Sequence, residues 1–483
     1  MRPIRWNPGI IIRPTPLSAF HPTLPVVSCG SGMTALTDEL NARLAALRQQ
    51  GLYRELRRVD SPQATRVQLA GQSLLNFSSN DYLGLAGHPA LRAAATRAVE
   101  RYGVGSGSSR LVCGSLAPFH ELEEALAAFK GTEAALTFAT GYAAATGTIG
   151  ALMGRGDVII LDKLVHACIV DAARASGATL RVFDHNDLNE LADILRWADA
   201  KRAAAAEKPH ILVVTESIFS MDGDAAPLRE IVTLKAKHGA WLMVDEAHGT
   251  GLYGTHQRGL AEALGVSEQI EIHMGTLGKA LGASGGFICG SRALVEYLVN
   301  RARSFIFSTA PLPAAAAAAM AALQVVQSAE GRGRRERLFR RVEELTEALG
   351  TAGGKKHPNS NIQTPENIQA SISKNLLIGP AHTSFSPAPP HPGPLPQGEG
   401  EWAAAIQIFA DRRQISSAIM PFIIGEEAAA VNAAQQLRER GFFIPAIRYP
   451  TVARGQARLR ITMTADHTAE EVAQLANALA ELK

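Results

Sequence analysis

HILVVTESIFSMDGDAAPLREIVTLKAKHGAWLMVDEAH, residues 210 to 248, holds two short apolar runs, HILVVTES and AWLMVDEAH, on either side of PLREIVTLKAKHG. Neither run alternates apolar with polar residues, which marks strands covered on both faces. The segment between them has helical period and is long enough to cross over, so the unit reads as strand, helix, parallel strand. The same alternation extends outward from about residue 105 to 290. ALTFA (135–139), DVIILD (157–162), TLRVF (179–183), QIEIHMG (269–275) and GGFICG (285–290) are further strand-like runs, and DKLVHACIVDAARASG (162–177) has helical period. The pattern predicts an α/β fold with a mostly parallel sheet and helices on both faces.

The rest of the 483 residues frame this core. With 46% hydrophobic and 19% charged residues the chain has the composition of a globular protein, not a disordered or fibrous one. A net charge of +3 is spread along the chain apart from GRGRRER (331–337), which reads as a solvated helix face rather than a nucleic-acid site. Four dispersed cysteines without a Cys-x-x-Cys pair suggest neither zinc nor a disulfide framework, and a reducing cytoplasm is expected. No apolar run approaches the roughly 18 to 20 residues that span a bilayer.

Residues 1–32 are Pro-rich and expected to be a disordered extension; helical period begins directly after Met33, the expected start. Residues 33–80 are then expected to be an N-terminal helical segment and 81–312 a large α/β domain. A long helix is expected from PAAAAAAMAALQVVQSAEG through RRVEELTEALG, opening a smaller α+β domain over 313–483. Dense in Pro, Gly, Ser and Asn, 353–401 reads as a disordered insert in that domain.

Lys279 stands among small residues in GTLGKALGASGG (275–286), just after a strand. A phosphate-cradling P-loop is excluded, since His273 stands five residues before Gly278 and Ala280 follows the lysine. GASGG matches Gly-x-Ser-x-Gly around Ser284, but a nucleophile elbow lies between strand and helix, whereas here a strand follows. Asp245 and His248 end one strand, Ser217 and Ser220 another, and His166 follows a third; ligands of open α/β sheets bind beyond such strand ends. A lysine for a Schiff base and an acid for a pyridinium nitrogen are what pyridoxal phosphate requires. ATGYAAATG (139–147) supplies a phosphate cradle through Gly141 and a helix N-terminus. GVGSGSSR (103–110) misses the dinucleotide fingerprint, with Ser108 where the third glycine belongs.

NDYLGL (80–85), GSGSSRLVCGS (105–115), FHELEEALAAFKG (119–131), TESIFSMDGD (215–224), VDEAHGTG (244–251), TLGKALGASGG (276–286), FSTAPLP (307–313) and ARLRIT (457–462) together resemble the α-oxoamine synthases, pyridoxal phosphate enzymes of fold type I. The resemblance runs from about Thr37 to the C-terminus outside the insert. It implies a transferase with a mostly parallel central sheet, a smaller C-terminal domain and no metal. Lys279 would carry the cofactor and later remove the α-proton. Asp245 would hold the ring nitrogen, His166 stack on the ring, and His248 and Ser217 lie near its phenolic oxygen. Thr276 with the Gly141–Tyr142 backbone would bind phosphate, joined across a homodimer interface by Ser308 and Thr309. Arg460 would clamp the amino-acid carboxylate, with Arg54 and Arg448 holding the acyl substrate. TESIFSMDGD and IPAIRYPTVARGQARLRIT (444–462) are most similar to members of the biotin pathway that join L-alanine to a pimeloyl thioester, borne by CoA or a carrier protein. Glycine or serine with another acyl-CoA stays open, as does a regulatory protein that keeps the fold without turnover.

Overall fold

The computed structural model describes residues 34–352 and 416–482. The expected extension at 1–32 and insert at 353–401 lie outside the described residues. Two compact units are distinguished, Met1–Glu55 and Leu56–Lys483. In the first, Thr34 caps a helix over Ala35–Gln49 by accepting from the Thr37 amide, and none of that helix's residues is buried. The expected helical segment 33–80 is helical only there. Further on, Arg66–Leu69 and Gln72–Asn76 form an antiparallel pair, β1 and β2, turned through Ala70 and Gly71, both at positive φ.

Seven strands build the main sheet: β3 Ala134–Phe138, β4 Val158–Asp162, β5 Thr179–Phe183, β6 Ile211–Glu216, β7 Trp241–Asp245, β8 Ile272–Thr276 and β9 Gly286–Gly290. They are the runs marked out by apolar content. Their order is β3-β9-β8-β7-β6-β4-β5, and every strand runs parallel to the rest except β9, antiparallel to both neighbours. β3, β4, β6 and β9 are buried at every position, the physical basis of their unbroken apolar pattern. Burying a Val, Leu or Ile side chain stabilises by about 1.5 to 3 kcal/mol, so the sheet is the mechanical reference for everything attached to its ends.

The smaller domain has an antiparallel sheet in the order β10-β13-β12, formed by β10 Ile419–Gly425, β12 Ala446–Ile447 and β13 Ala457–Thr462. β11, Phe442–Phe443, instead runs parallel to β2, so the 66–76 hairpin shares a sheet with the C-terminal region. The single long helix expected after residue 313 is divided into Pro313–Gln327 and Ala329–Ala352. Ser328 lies between them in extended geometry, and its hydroxyl accepts from the Gly331 amide, capping the second helix.

Candidate active site

The carboxyl ends of the parallel strands gather most of the residues singled out by sequence. β6 and β7 are in register so that Glu216 lies beside Asp245, the last residue of each strand. Asp245 is buried, and its Oδ1 accepts the Ala247 amide at 2.8 Å. Burial raises the pKa of its carboxyl, opposed by the charge of Lys279. Glu216 is raised well above its ordinary value for the same reason, with Asp245 adding to the effect. Burial depresses the Lys279 ammonium, against the pull of Asp245 and Glu216. Two acids and one lysine thus share a poorly solvated space, each charge acting on the others.

Glu216 was not singled out by sequence. Its Oε1 accepts the His166 amide at 2.5 Å and its Oε2 the Ser220 amide at 3.2 Å, so it fixes the backbone at two predicted site residues. His166 caps the helix Ala167–Ser176, its Nδ1 accepting the Cys168 amide, while the ring stays exposed. Burial of the site also lowers its pKa, as it does more strongly for His248. A neutral His248 is held through Nδ1 by the Tyr82 hydroxyl at 2.5 Å. NDYLGL was part of the recognisable pattern, but the roles of its Tyr82 and Asn80 depend on contacts with residues 166 and 380 positions away.

Arg460, on β13, is buried and aimed by three bonds. Nε donates to the Ser220 carbonyl at 2.6 Å, and Nη1 to Asn80 Oδ1 and Thr462 Oγ1, both at 3.0 Å. Its charge contributes to the shifts of both Lys279 and His248. The smaller domain therefore delivers a guanidinium to the same cluster.

At the end of β3, Thr140 Oγ1 accepts the Ala143 amide and its carbonyl the Ala144 amide, starting the helix Gly141–Leu152. Gly141 and Tyr142 precede these bonds, leaving their amides at an N-terminus that favours anions. A Cβ on Gly141 would stand 2.6 Å from Thr276 Cγ2, so glycine is needed for this approach. Ser217 Oγ and Thr276 Oγ1 are buried without a hydrogen-bond partner among the described residues. A phosphate and a phenolic oxygen are the kinds of group that would satisfy such atoms. The donor set therefore fits pyridoxal phosphate.

Other predicted residues have surroundings of their own. Ser308 and Thr309 line a small cleft with Arg110, Thr137 and Phe138, and Thr309 bridges to Ser109. The Tyr142 side chain turns outward to Asp171 Oδ2 at 2.8 Å. Arg448 is half-buried just after β12, and Arg54 belongs to the first unit. Ser284 is exposed in the loop before β9, not at a strand-to-helix turn.

Sheet and loop cluster together define a pyridoxal-phosphate-dependent transferase of fold type I. The chain belongs to the aminotransferase class I and II family, whose model matches residues 72–365 and 412–479, and within it to the α-oxoamine synthases. It is 44% identical over 92% of its length to an 8-amino-7-oxononanoate synthase of Anaeromyxobacter dehalogenans, of which 95% is covered. Against the enzyme of that name from Geobacter sulfurreducens identity is 42%, covering 92% of this chain and 98% of the relative. A serine palmitoyltransferase from S. paucimobilis, solved with PLP–myriocin, superposes with a TM-score of 0.73 at 26% identity, over 93% of this chain and 98% of that one. The fold is shared too with an 8-amino-7-oxononanoate synthase of Francisella tularensis, at a TM-score of 0.60 and 23% identity over 84% and 97%. No helix of the described residues is long and apolar enough to cross a membrane, and none of their side chains cluster as metal ligands.

Proposed function

We propose that the protein condenses L-alanine with a pimeloyl thioester to give 8-amino-7-oxononanoate, free thiol and carbon dioxide. The observation that carries this reading is the identity of 44% over nearly the whole chain to enzymes named for that product. The S. paucimobilis likeness supports a second reading, serine with a long acyl thioester, at the lower identity of 26%.

Bound pyridoxal phosphate supplies a conjugated ring that accepts the electron pair of a bond broken at the amino acid's α-carbon. Lys279 Nζ would hold the cofactor covalently and, as a free amine, would take up the α-proton. Its depressed pKa favours the neutral amine that this requires. Asp245 keeps the ring nitrogen protonated; a carboxylate penalised by burial gains most from a cation in contact. His248 and Ser217 Oγ would hold the phenolic oxygen, and His166 would pack on the ring. Thr276 Oγ1 and the Gly141 and Tyr142 amides bind the phosphate.

Arg460 holds the substrate carboxylate through a planar fork that lysine could not copy. Carbon–carbon bond formation then expels the thiolate from the acyl carbonyl. Loss of that carboxylate as carbon dioxide follows, and a proton returned to the α-carbon completes the product. Arg448 is assigned to holding the acyl substrate.

The reading includes a homodimer. Val104, Leu111, Val112, Phe307 and Leu312 are exposed on two loops joined by the Ser109–Thr309 bridge, an apolar surface that a second copy would cover. Ser308 and Thr309 would there serve the partner's phosphate. A panel of amino acids against acyl thioesters, with released thiol and product mass recorded, tests the function. The expected result is preference for L-alanine with the pimeloyl thioester; preference for serine with a long acyl chain would replace the reading.

A further inference from the structure

The hairpin that follows β6, residues 217–226, is gripped from two sides. Its own frame is short: Ile218 bridges Ala225, and Phe219 and Gly223 exchange backbone bonds with Asp224 and Phe219. From the small domain, Arg460 Nε reaches the Ser220 carbonyl, and Arg458 Nη1 reaches Asp222 Oδ1 at 2.7 Å. From the large domain the grip is a turn just after β5. His185 Nε2 lies 2.7 Å from Asp224 Oδ2, and its Nδ1 lies 3.0 Å from Oδ1 of Asp162, the last residue of β4. Asn186 adds a donation from Nδ2 to the Ala225 carbonyl at 3.2 Å, and its backbone amide donates to Asp162 Oδ2 at 2.9 Å. Asn186 adopts φ +58, a left-handed turn that asparagine tolerates better than most residues.

We infer that His185 is a positioning residue for Arg460, acting through this hairpin to set the affinity for the amino-acid carboxylate. The inference rests on the assignment of that carboxylate to Arg460. Three strand ends meet at one imidazole: Asp162 anchors it to β4, its own backbone to β5, and Asp224 to the hairpin. The ring also stands edge-on to Phe219, with centroids 4.3 Å apart. Without this tie the large domain holds the hairpin through the Glu216 carboxylate and the Asn186 donation, and on the other side Arg458 remains on Asp222. The shortest bond aiming Arg460 ends on the Ser220 carbonyl, so movement of the hairpin is movement of the guanidinium.

The chemistry of the bridge is that of an imidazolium between two carboxylates. Burial opposes the charged ring, but the hydrogen bonds and charges of Asp162 and Asp224 outweigh it and push the pKa up to about 10. Charge-assisted bonds of this kind are shorter and stiffer than neutral ones. A side chain that kept shape without charge would leave a looser tie.

The test is titration of the cofactor-loaded protein with L-alanine, without thioester, followed by the change in the visible spectrum. His185→Gln is expected to weaken alanine binding by about 3- to 30-fold, the range of residues that act through others. Asp224→Asn, made from the hairpin side, should do the same if the first variant folds poorly. In an Arg460→Lys background either substitution should add little, since no correctly aimed fork remains to be lost. Equal weakening in both backgrounds, or none in the parent, would overturn the inference. An Arg460→Lys protein that binds alanine as tightly as the parent would instead refute the assignment of Arg460.

Discussion

Asp245 and Glu246 follow one another at the end of β7, both buried, yet their surroundings act on them in opposite senses. Glu246 accepts from Lys130 Nζ at 2.5 Å and from the Ala261 amide at 3.0 Å, with the His273 ring 3.9 Å away. Burial penalises its charge, but Lys130 and His273 more than compensate, leaving the pKa at about 2. Asp245 accepts one amide and shares its surroundings with Glu216 and Lys279, and its pKa is raised. One acid closes a finished structural pair. The other is held ready for a charge that the protein itself does not fully supply, the condition that marks reactive sites.

The comparison breaks if the two lysines are interchangeable. Lys279→Ala should lower turnover by about 10⁴-fold or more and abolish the cofactor's lysine-dependent visible band. Thermal stability should stay level or rise, because a cation disfavoured by burial has been removed. Lys130→Met should do the reverse. Leaving Glu246 buried without its partner should cost about 3 to 5 kcal/mol of stability, measured by denaturant unfolding, while the folded protein binds L-alanine with unchanged affinity.

Acid unfolding sharpens the contrast. A carboxyl whose pKa falls from 4.5 unfolded to about 2 folded stabilises the protein fully above 4.5, and that contribution is lost as pH drops toward 2. Its size is on the order of 3 kcal/mol. In Lys130→Met this part of the acid dependence should disappear from unfolding curves taken between those limits. The smallest effect is expected at Glu216. Glu216→Gln removes a disfavoured charge but keeps one acceptor for the His166 or Ser220 amide, so stability should change by only about 1 kcal/mol. A large loss in a melting experiment would show that Glu216 belongs with the structural acids.

Legibility followed burial. Most strands of the main sheet could be read because both faces are covered and their apolar runs are unbroken; β5, at the sheet edge with Arg181 and Val182 exposed, was legible instead from its place in the strand-helix alternation. Lys279, Asp245, His166 and His248 could be picked out because each sits just beyond such a run. Glu216 could not, since its meaning lies in register with Asp245 and in amides that arrive from other segments. The break at Ser328 escaped because alanine-rich and charged residues on either side favour helix equally, and one capping hydroxyl decides. The β1–β2 hairpin was hidden by its four- and five-residue strands, whose partner β11 lies over 360 positions downstream.

The claim that the strand-end lysine carries the chemistry is tested most directly by borohydride reduction of the cofactor-loaded protein, followed by peptide mass mapping. One phosphopyridoxyl group is expected, on the peptide containing Lys279. Its appearance on Lys130 or another lysine, or the absence of any fixed label in a protein that turns over, would contradict it.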